Sequence, residues 1–119
     1  MENDGLVALL MGVIFLALFI VIIAGVWKAF TKAGQPGWAS IVPIYNVIVM
    51  LKIAGKPIWW FLLLMVPILN IIVGIIVSLA IAENFGKTAL FGVGLALLGF
   101  IFWPILGFGD AQYEGVQGA

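Results

Sequence analysis

The sequence of 119 residues contains no cysteine and no histidine, and only 8% of its residues are charged. The chain therefore lacks disulfides, thiolate chemistry, imidazole acid–base chemistry and the usual zinc ligands, and we expect no cofactor and no metal. Arginine is absent too, and five lysines balance five acidic residues without forming a basic run. Both a nucleic-acid interface and a polybasic lipid-binding tail are thereby excluded.

Hydrophobic residues take the place of charge: they make up 66% of the chain, and the mean hydropathy is +1.33. Soluble domains are roughly half apolar and one quarter charged. The composition therefore predicts an all-α integral membrane protein. A single transmembrane domain covers residues 1–119, and the lipid bilayer is its first partner.

Four segments are predicted to cross the membrane, and a short polar tail at 110–119 follows them. The first segment has 22 residues without a charge, enough at about 1.5 Å per residue for a hydrocarbon core of about 30 Å. Its acidic leader and its length distinguish it from a signal peptide. The predicted fold is a compact bundle of four transmembrane helices, the second and third kinked by proline, with spans at about 6–27, 37–53, 58–82 and 88–108. The second segment is short, so a re-entrant helix remains an alternative to a span there.

One phrase occurs twice in the middle of the chain and indicates a duplicated unit. Each copy has a glycine–proline turn, a tryptophan, an apolar run and a Pro-x-x-Asn sequence. The copies are Ala33-Gly34-Gln35-Pro36-Gly37-Trp38 with Pro43-Ile44-Tyr45-Asn46, and Ala54-Gly55-Lys56-Pro57-Ile58-Trp59 with Pro67-Ile68-Leu69-Asn70. A fainter third copy combines Phe85-Gly86-Lys87 with Pro104-Ile105-Leu106-Gly107. Pro43, Pro67 and Pro104 are predicted to bend their helices.

The positions of the lysines and tryptophans predict the orientation. The acidic leader carries no basic residue, which favours an N-terminus outside the cell. Four spans would put both ends outside, whereas a re-entrant 37–53 would put the C-terminus inside together with most lysines. The predicted interfacial anchors are Trp27, Lys28, Trp38, Trp59 and Trp60.

Asn46 and Asn70 are the polar side chains predicted to lie deepest, each three residues after a proline. An unpaired amide in hydrocarbon costs several kcal/mol, on the order of 2–7, so both must face protein or water. They could bond each other or a neighbouring carbonyl and fix helix packing, or they could coordinate an ion or solute between broken helices. Tyr45 accompanies the first amide. Gly74, Ser78 and Ala82, each one helical turn apart, predict a close helix contact, either within the monomer or with a second copy of the chain.

No catalytic residues are predicted. A serine–lysine hydrolase needs a serine hydroxyl beside a lysine whose pKa is lowered by burial. Ser40 and Ser78 are the only serines, and neither has a lysine on its own helical face. The chain is therefore expected not to be an enzyme.

The motifs resemble those of an uncharacterised bacterial membrane domain family whose members often carry the label "signal peptidase I". The resemblance spans about residues 25–113. It is carried by Trp27-Lys28-x-Phe30-x-Lys32-Ala33-Gly34-x-Pro36-Gly37-Trp38, Pro43-Ile44-Tyr45-Asn46, Ile53-Ala54-Gly55-Lys56-Pro57, Pro67-x-x-Asn70, Phe85-Gly86-Lys87 and Pro104-Ile105-Leu106-Gly107-Phe108-Gly109-Asp110. It implies a multi-pass protein of the bacterial inner membrane and brings no activity or catalytic residues.

Two functions fit these observations. The first is a non-enzymatic accessory or assembly subunit that packs against other membrane-protein subunits or against itself. The alternative is a small channel or transporter with a polar path around Asn46 and Asn70.

Overall fold

The computed structural model describes residues 2–116, and within that range the chain is entirely helical, with no strand. Residues 117–119 of the predicted polar tail lie outside the described part. Six α-helices and one 3₁₀ helix follow each other along the described chain: α1 (Glu2–Lys32), the 3₁₀ helix (Gly37–Ile41), α2 (Pro43–Ala54), α3 (Trp60–Leu64), α4 (Leu69–Asn84), α5 (Ala89–Leu97) and α6 (Gly99–Phe108).

Three glycine turns share one backbone geometry, which confirms that the repeated phrase is a structural unit. Gly34, Gly55 and Gly86 have φ values of 76°, 76° and 72°, in the left-handed region that side chains other than glycine rarely adopt. At each turn the residue after the glycine donates its N–H five residues back, as Lys56 does to the Leu51 carbonyl at 2.9 Å. This Schellman geometry ends α1, α2 and α4 in the same way.

The chain between and after these turns forms three helical hairpins. In the first hairpin (residues 37–54), Gly37 lies against the Trp27 ring, and Ile41 and Pro43 lie beside Phe19. The 3₁₀ helix therefore runs back along α1, away from Lys32. Helix α2 then returns, and its last turn bonds the last residue of α4.

The second hairpin (residues 57–84) and the third hairpin (residues 88–108) repeat this path. Helix α4 runs parallel to α2, because Val47 and Gly74 line one cavity and Asn84 bonds Ile53 at the other end. Helix α5 runs antiparallel to α4, with Gly92 against Leu79. Helix α6 then runs parallel to α1. All three glycine turns thus lie at one end of the molecule, here called the turn end.

The opposite ends of the hairpins are here called the tips, and the first of them lies beside Phe19 on α1. They consist of residues 41–43, 65–68 and 98–99, and their surfaces are apolar. The exposed residues there include Ile41, Val42, Met65, Val66, Ile68 and Leu98. In an aqueous protein such a surface would be exceptional.

Helix α1 extends far beyond the hairpins. Residues 3–21 are all exposed, whereas Gly25, Ala29 and Phe30 are buried against the rest of the chain. The principal extents of the molecule are 59 × 34 × 26 Å, and its long dimension reflects this helix. Residues 3–18, which rise about 24 Å along the helix axis, therefore form a bare apolar helix.

In the described range, one helix is long and apolar enough to cross a membrane, the 30-residue stretch Asn3–Lys32. The predicted spans 37–53, 58–82 and 88–108 are each broken near the middle. Pro43 is the first residue of α2 and Pro67 lies between α3 and α4, so neither bends a continuous helix. Only Pro104 lies inside a helix. At Pro43 and Pro67 the chain reverses direction in the middle of the predicted span, where a kinked helix was expected. A proline lacks the N–H that a helix interior requires, so it is tolerated at or just before the start of a new helix.

Candidate functional site

The first tip uses its proline and asparagine to pair the backbone where the chain reverses. Pro43 has no N–H to leave unpaired. The backbone N–H of Asn46 donates to the Val42 carbonyl at 2.7 Å, and the side-chain Nδ2 of Asn46 donates to the Ser40 carbonyl at 2.9 Å. The Asn46 amide thus bonds a neighbouring carbonyl, one of the two packing roles predicted for it.

The second tip has the same backbone bond but a different side-chain environment. The Asn70 N–H donates to the Val66 carbonyl at 2.9 Å, as Asn46 does to Val42. The Asn70 side chain is exposed. Ile68 adopts φ 71° and is 77% exposed, and the Leu69 N–H donates to the Pro67 carbonyl at 2.8 Å. This is a γ-turn with a positive φ at a β-branched residue, a strained conformation.

One face of α4 lines a crevice between α2, α5 and α6. Asn70, Gly74 and Ser78 border a cavity of about 340 Å³ together with Met50 and Trp103. Asn46 is not among the residues that line it. Among the described residues, the two amides therefore do not bond each other, and Asn46 does not border this cavity.

The close helix contacts use glycines other than Gly74. A Cβ placed on Gly74 would meet nothing within 4 Å. A Cβ on Gly92 would lie 2.8 Å from the Leu79 Cα, and one on Gly25 would lie 2.8 Å from the Pro104 Cβ. The backbones of α4 and α5, and of α1 and α6, thus touch at Gly92 and Gly25, which sequence reasoning missed. The glycines within the apolar segments were the only sequence signal for these contacts. Glycines also occur in turns, so their positions alone did not show which of them lie between two helices.

Pro104 belongs to the α1–α6 contact and not to a tip. It lies over Gly25, and a Cβ on Gly107, one turn further along α6, would lie 2.8 Å from the Gly25 carbonyl carbon. The third copy of the repeat therefore matches the other two at its turn, whereas its proline has a different role. The third tip is formed by Leu98, whose carbonyl accepts from the Phe102 N–H at 3.0 Å.

The lysines gather around the turn end. Lys32 Nζ donates to the carbonyls of Leu106 and Gly109, at 2.8 Å each, which satisfies the last turn of α6 and its negative dipole end. Lys28 Nζ lies 5.3 Å from the centre of the Phe108 ring. Lys56 and Lys87 make similar cation–π contacts with aromatic residues four positions later, at 5.4 and 5.7 Å.

The predicted interfacial anchors also belong largely to this end. The Trp27 ring covers Gly37, and Trp59 and Trp60 follow directly after the second glycine turn, with ring centres 6.4 Å apart. Trp38 stacks on Tyr45 at 5.3 Å, further along the first hairpin. Lys52 Nζ lies 5.6 Å from the same tyrosine ring. Trp59 and Trp60 thus lie at the same end of the molecule as Trp27, whereas a topology of four continuous spans would place them on the opposite side of the membrane from Trp27.

A polar clasp at the turn end joins α2, α4 and the C-terminal segment. Asn84, only 2% exposed, donates from Nδ2 to the Ile53 carbonyl at 2.9 Å. The Tyr113 hydroxyl donates to the same carbonyl at 2.9 Å, and the Glu114 N–H donates to the Asn84 carbonyl at 2.7 Å. Burial raises the pKa of Tyr113, so its phenol stays a donor. Sequence reasoning missed this clasp, because its partners lie 31 and 60 residues apart.

Among residues 2–116, the arrangement gathers packing and anchoring groups and brings no nucleophile, base and acid together. A family model described as a family of unknown function, DUF5684, matches residues 38–116. This range begins within the first hairpin, contains the other two and leaves out α1. Neither a curated protein nor a solved structure matches the chain. Because the family model covers most of the sequence, the chain belongs to this uncharacterised family, DUF5684.

Proposed function

We propose that this chain is a non-enzymatic structural protein of the membrane, crossing the bilayer once through α1 and inserting three re-entrant hairpins into one leaflet. The single observation that carries this proposal is that all three hairpins open at the turn end and have exposed apolar tips at their other ends, the first of them beside Phe19. It takes up the re-entrant alternative for residues 37–53 and extends it to the two later segments.

Helix lengths support re-entry over crossing. At about 1.5 Å per residue, the returning helices α2, α4 and α6 are about 18, 24 and 15 Å long, against about 30 Å for the hydrocarbon core. Backbone pairing also supports it, because irregular backbone within hydrocarbon is tolerated only where its polar groups find partners. The proline, asparagine and γ-turn bonds at the tips provide such partners.

The charge distribution supports one orientation. The lysines that flank the three glycine turns, Lys32, Lys56 and Lys87, lie at one end, and Asp4 lies at the far end of α1. Cytoplasmic loops are enriched in lysine and arginine. We therefore propose that the turn end and the C-terminal segment face the cytoplasm of a bacterium and that the N-terminus lies outside its inner membrane.

Absence of catalysis is part of the proposal. Ser78 borders a crevice whose described lining contains no lysine. The Ser40 hydroxyl is buried and makes no hydrogen bond within the described residues. Neither serine therefore has the base that nucleophilic attack requires.

The bare half of α1 supports an accessory or assembly role. In the leaflet opposite the hairpins, residues 3–18 have no neighbour in the described chain, and Gly5, Ala8 and Gly12 lie along this stretch. Small residues at such spacings let helix backbones approach closely in lipid. A second copy or a larger membrane subunit would complete this half of the protein.

Cysteine accessibility tests the topology, and the native chain has no cysteine to interfere. Gln35→Cys, Lys56→Cys and Gln112→Cys should all react with a membrane-impermeant maleimide from the cytoplasmic side, and Asn3→Cys from the outside. Ile41→Cys, at a tip, should react from neither side. Reaction of Lys56→Cys from the side opposite to Gln35→Cys would restore the four-span topology and overturn the hairpins.

Photo-crosslinking in native membranes tests the assembly role. A photoreactive residue at Ala8 should give an adduct of defined size, either a second copy or a distinct subunit. The matched control is Ile76, which is exposed on α4 among the hairpins. Adducts of equal yield at both positions, or none at Ala8 beyond lipid, would contradict the assembly role.

A further inference from the structure

Two hollows adjoin along α1 and together form a shallow surface groove, whose apolar part is walled by α1 alone and whose polar part also borders the end of α6. The first, about 470 Å³, is almost entirely apolar and is lined by Leu16, Phe19, Ile20, Ile23, Ala24, Trp27 and Lys28. The second, about 560 Å³, is partly polar and is lined by Trp27, Lys28, Thr31, Lys32, Gly107, Phe108 and Gly109. Trp27 and Lys28 border both hollows, so the groove changes from apolar to cationic at that point.

Two ammonium groups face the polar part of this groove. Lys32 uses two of its three N–H groups on the carbonyls of Leu106 and Gly109, which leaves one donor free. Lys28 rests on the Phe108 ring, and the ring face leaves its outward N–H groups available. Asp110 follows directly after Gly109 and offsets one of the two positive charges at most. The polar part therefore suits an anion.

The length of the apolar part matches one side of a bilayer. From Lys28 to Leu16 the helix rises about 18 Å, and half of the hydrocarbon core is about 15 Å. Trp27 lies at the boundary, where tryptophan is enriched in membrane proteins. A ligand with a phosphate at one end and an acyl chain of this length would contact the groove throughout.

We infer that this groove binds one anionic phospholipid, with its phosphate against Lys28 and Lys32 and one acyl chain along Ile20 and Ile23. This inference rests on the proposed placement of the turn end at the headgroup level. The site would hold a lipid beside α6 at the joint between the span and the third hairpin, and so tie the protein to anionic membrane.

Native mass spectrometry of the protein in detergent, with dioleoylphosphatidylglycerol or dioleoylphosphatidylcholine added at equal amounts, tests the site. The wild type should retain the anionic lipid preferentially at a stoichiometry of one. Lys28→Gln should reduce that retention about fivefold, the effect of removing one lysine near a phosphate. Lys52→Gln is the matched control, since Lys52 lies outside the groove, over Tyr45, and it should change nothing.

A second pair of variants tests the acyl-chain part. Ala24→Phe fills the apolar hollow and should reduce the retention of both lipids, whereas Ala8→Phe, on the bare half of α1, should not. Equal retention of the two lipids by the wild type, or equal effects of Lys28→Gln and Lys52→Gln, would overturn the site. Displacement of the lipid by inorganic phosphate alone would also overturn it, since the acyl chain would then contribute nothing. The labelling experiment on topology is independent, so a failed groove with correct topology is distinguishable from failed hairpins.

Discussion

Adding one methyl group at Gly25 should separate α1 from the hairpins more than any other change of that size on this helix. A Cβ at this position would overlap the Pro104 Cα and lie 2.8 Å from the Pro104 Cβ, against about 3.5 Å for an ordinary carbon contact, so the helices must move apart by at least about 0.7 Å there. The obstruction includes the Pro104 backbone, which cannot swing aside as a flexible side chain does.

The expected loss of stability follows from these contacts. Overpacking a tight contact costs about 1–3 kcal/mol, and replacing glycine by alanine within a helix returns up to about 1 kcal/mol. Gly25→Ala should therefore destabilise the protein by about 1–2 kcal/mol. Gly12→Ala is the matched control on the same helix, because a Cβ there meets nothing within 4 Å. It should leave stability unchanged or raise it slightly.

The assay is unfolding by sodium dodecyl sulfate in mixed micelles, followed by tryptophan fluorescence. Trp103 is a suitable reporter, since it is 8% exposed and packs edge-on against Phe30 of α1, with ring centres 5.8 Å apart. Loss of the α1–α6 contact should change its emission first. Identical unfolding curves for Gly25→Ala and Gly12→Ala would refute the contact between α1 and α6, and with it the parallel path of the third hairpin.

The remaining predictions concern the polar groups and use the same unfolding assay. Asn46→Leu leaves a carbonyl of the 3₁₀ helix unpaired and should cost about 1–3 kcal/mol, whereas Asn70→Leu, at the exposed equivalent position, should be nearly neutral; equal losses would contradict the distinction between the tips. Asn84→Leu breaks the buried bond to Ile53 and should cost a similar 1–3 kcal/mol, and an unchanged midpoint would count against the clasp. Because burial raises the pKa of Tyr113, the clasp should be fully stable below about pH 10, the ordinary pKa of tyrosine, and should weaken as pH rises through the raised value. Tyr113→Phe should abolish this loss of stability at alkaline pH. If the variant still loses stability there, another group is responsible for the loss.

The repeated turns could be predicted from the sequence because their information is local. A glycine after an apolar run and a proline two residues later are enough to end one helix and start the next. Gly34 and Gly55 therefore fulfilled the expectation, and so did the fainter turn at Gly86. The length of the first apolar run likewise identified α1.

The direction of the chain after Pro43 could not be predicted in the same way. A short crossing helix and a hairpin that turns back at mid-depth have the same composition and both accept a proline. What separates them is the partner of the returning helix: Val47 shares a cavity with Gly74, and Ile53 accepts a hydrogen bond from Asn84. Such contacts join residues about 30 positions apart and have no local signature. The assignment of Asn46 to the Ser40 carbonyl depends on the same reversal.

The bare half of α1 gives the molecule two very different cross-sections. Across its long axis the molecule measures 34 × 26 Å, or about 700 Å² as an ellipse, whereas a lone helix about 10–12 Å wide occupies about 100 Å². Seated as proposed, the protein is a wedge: it displaces lipid from one monolayer and almost none from the other. A bilayer relieves such a difference in area between its two monolayers by bending toward the monolayer that holds the narrow part of the protein. Many copies side by side would therefore curve the bilayer.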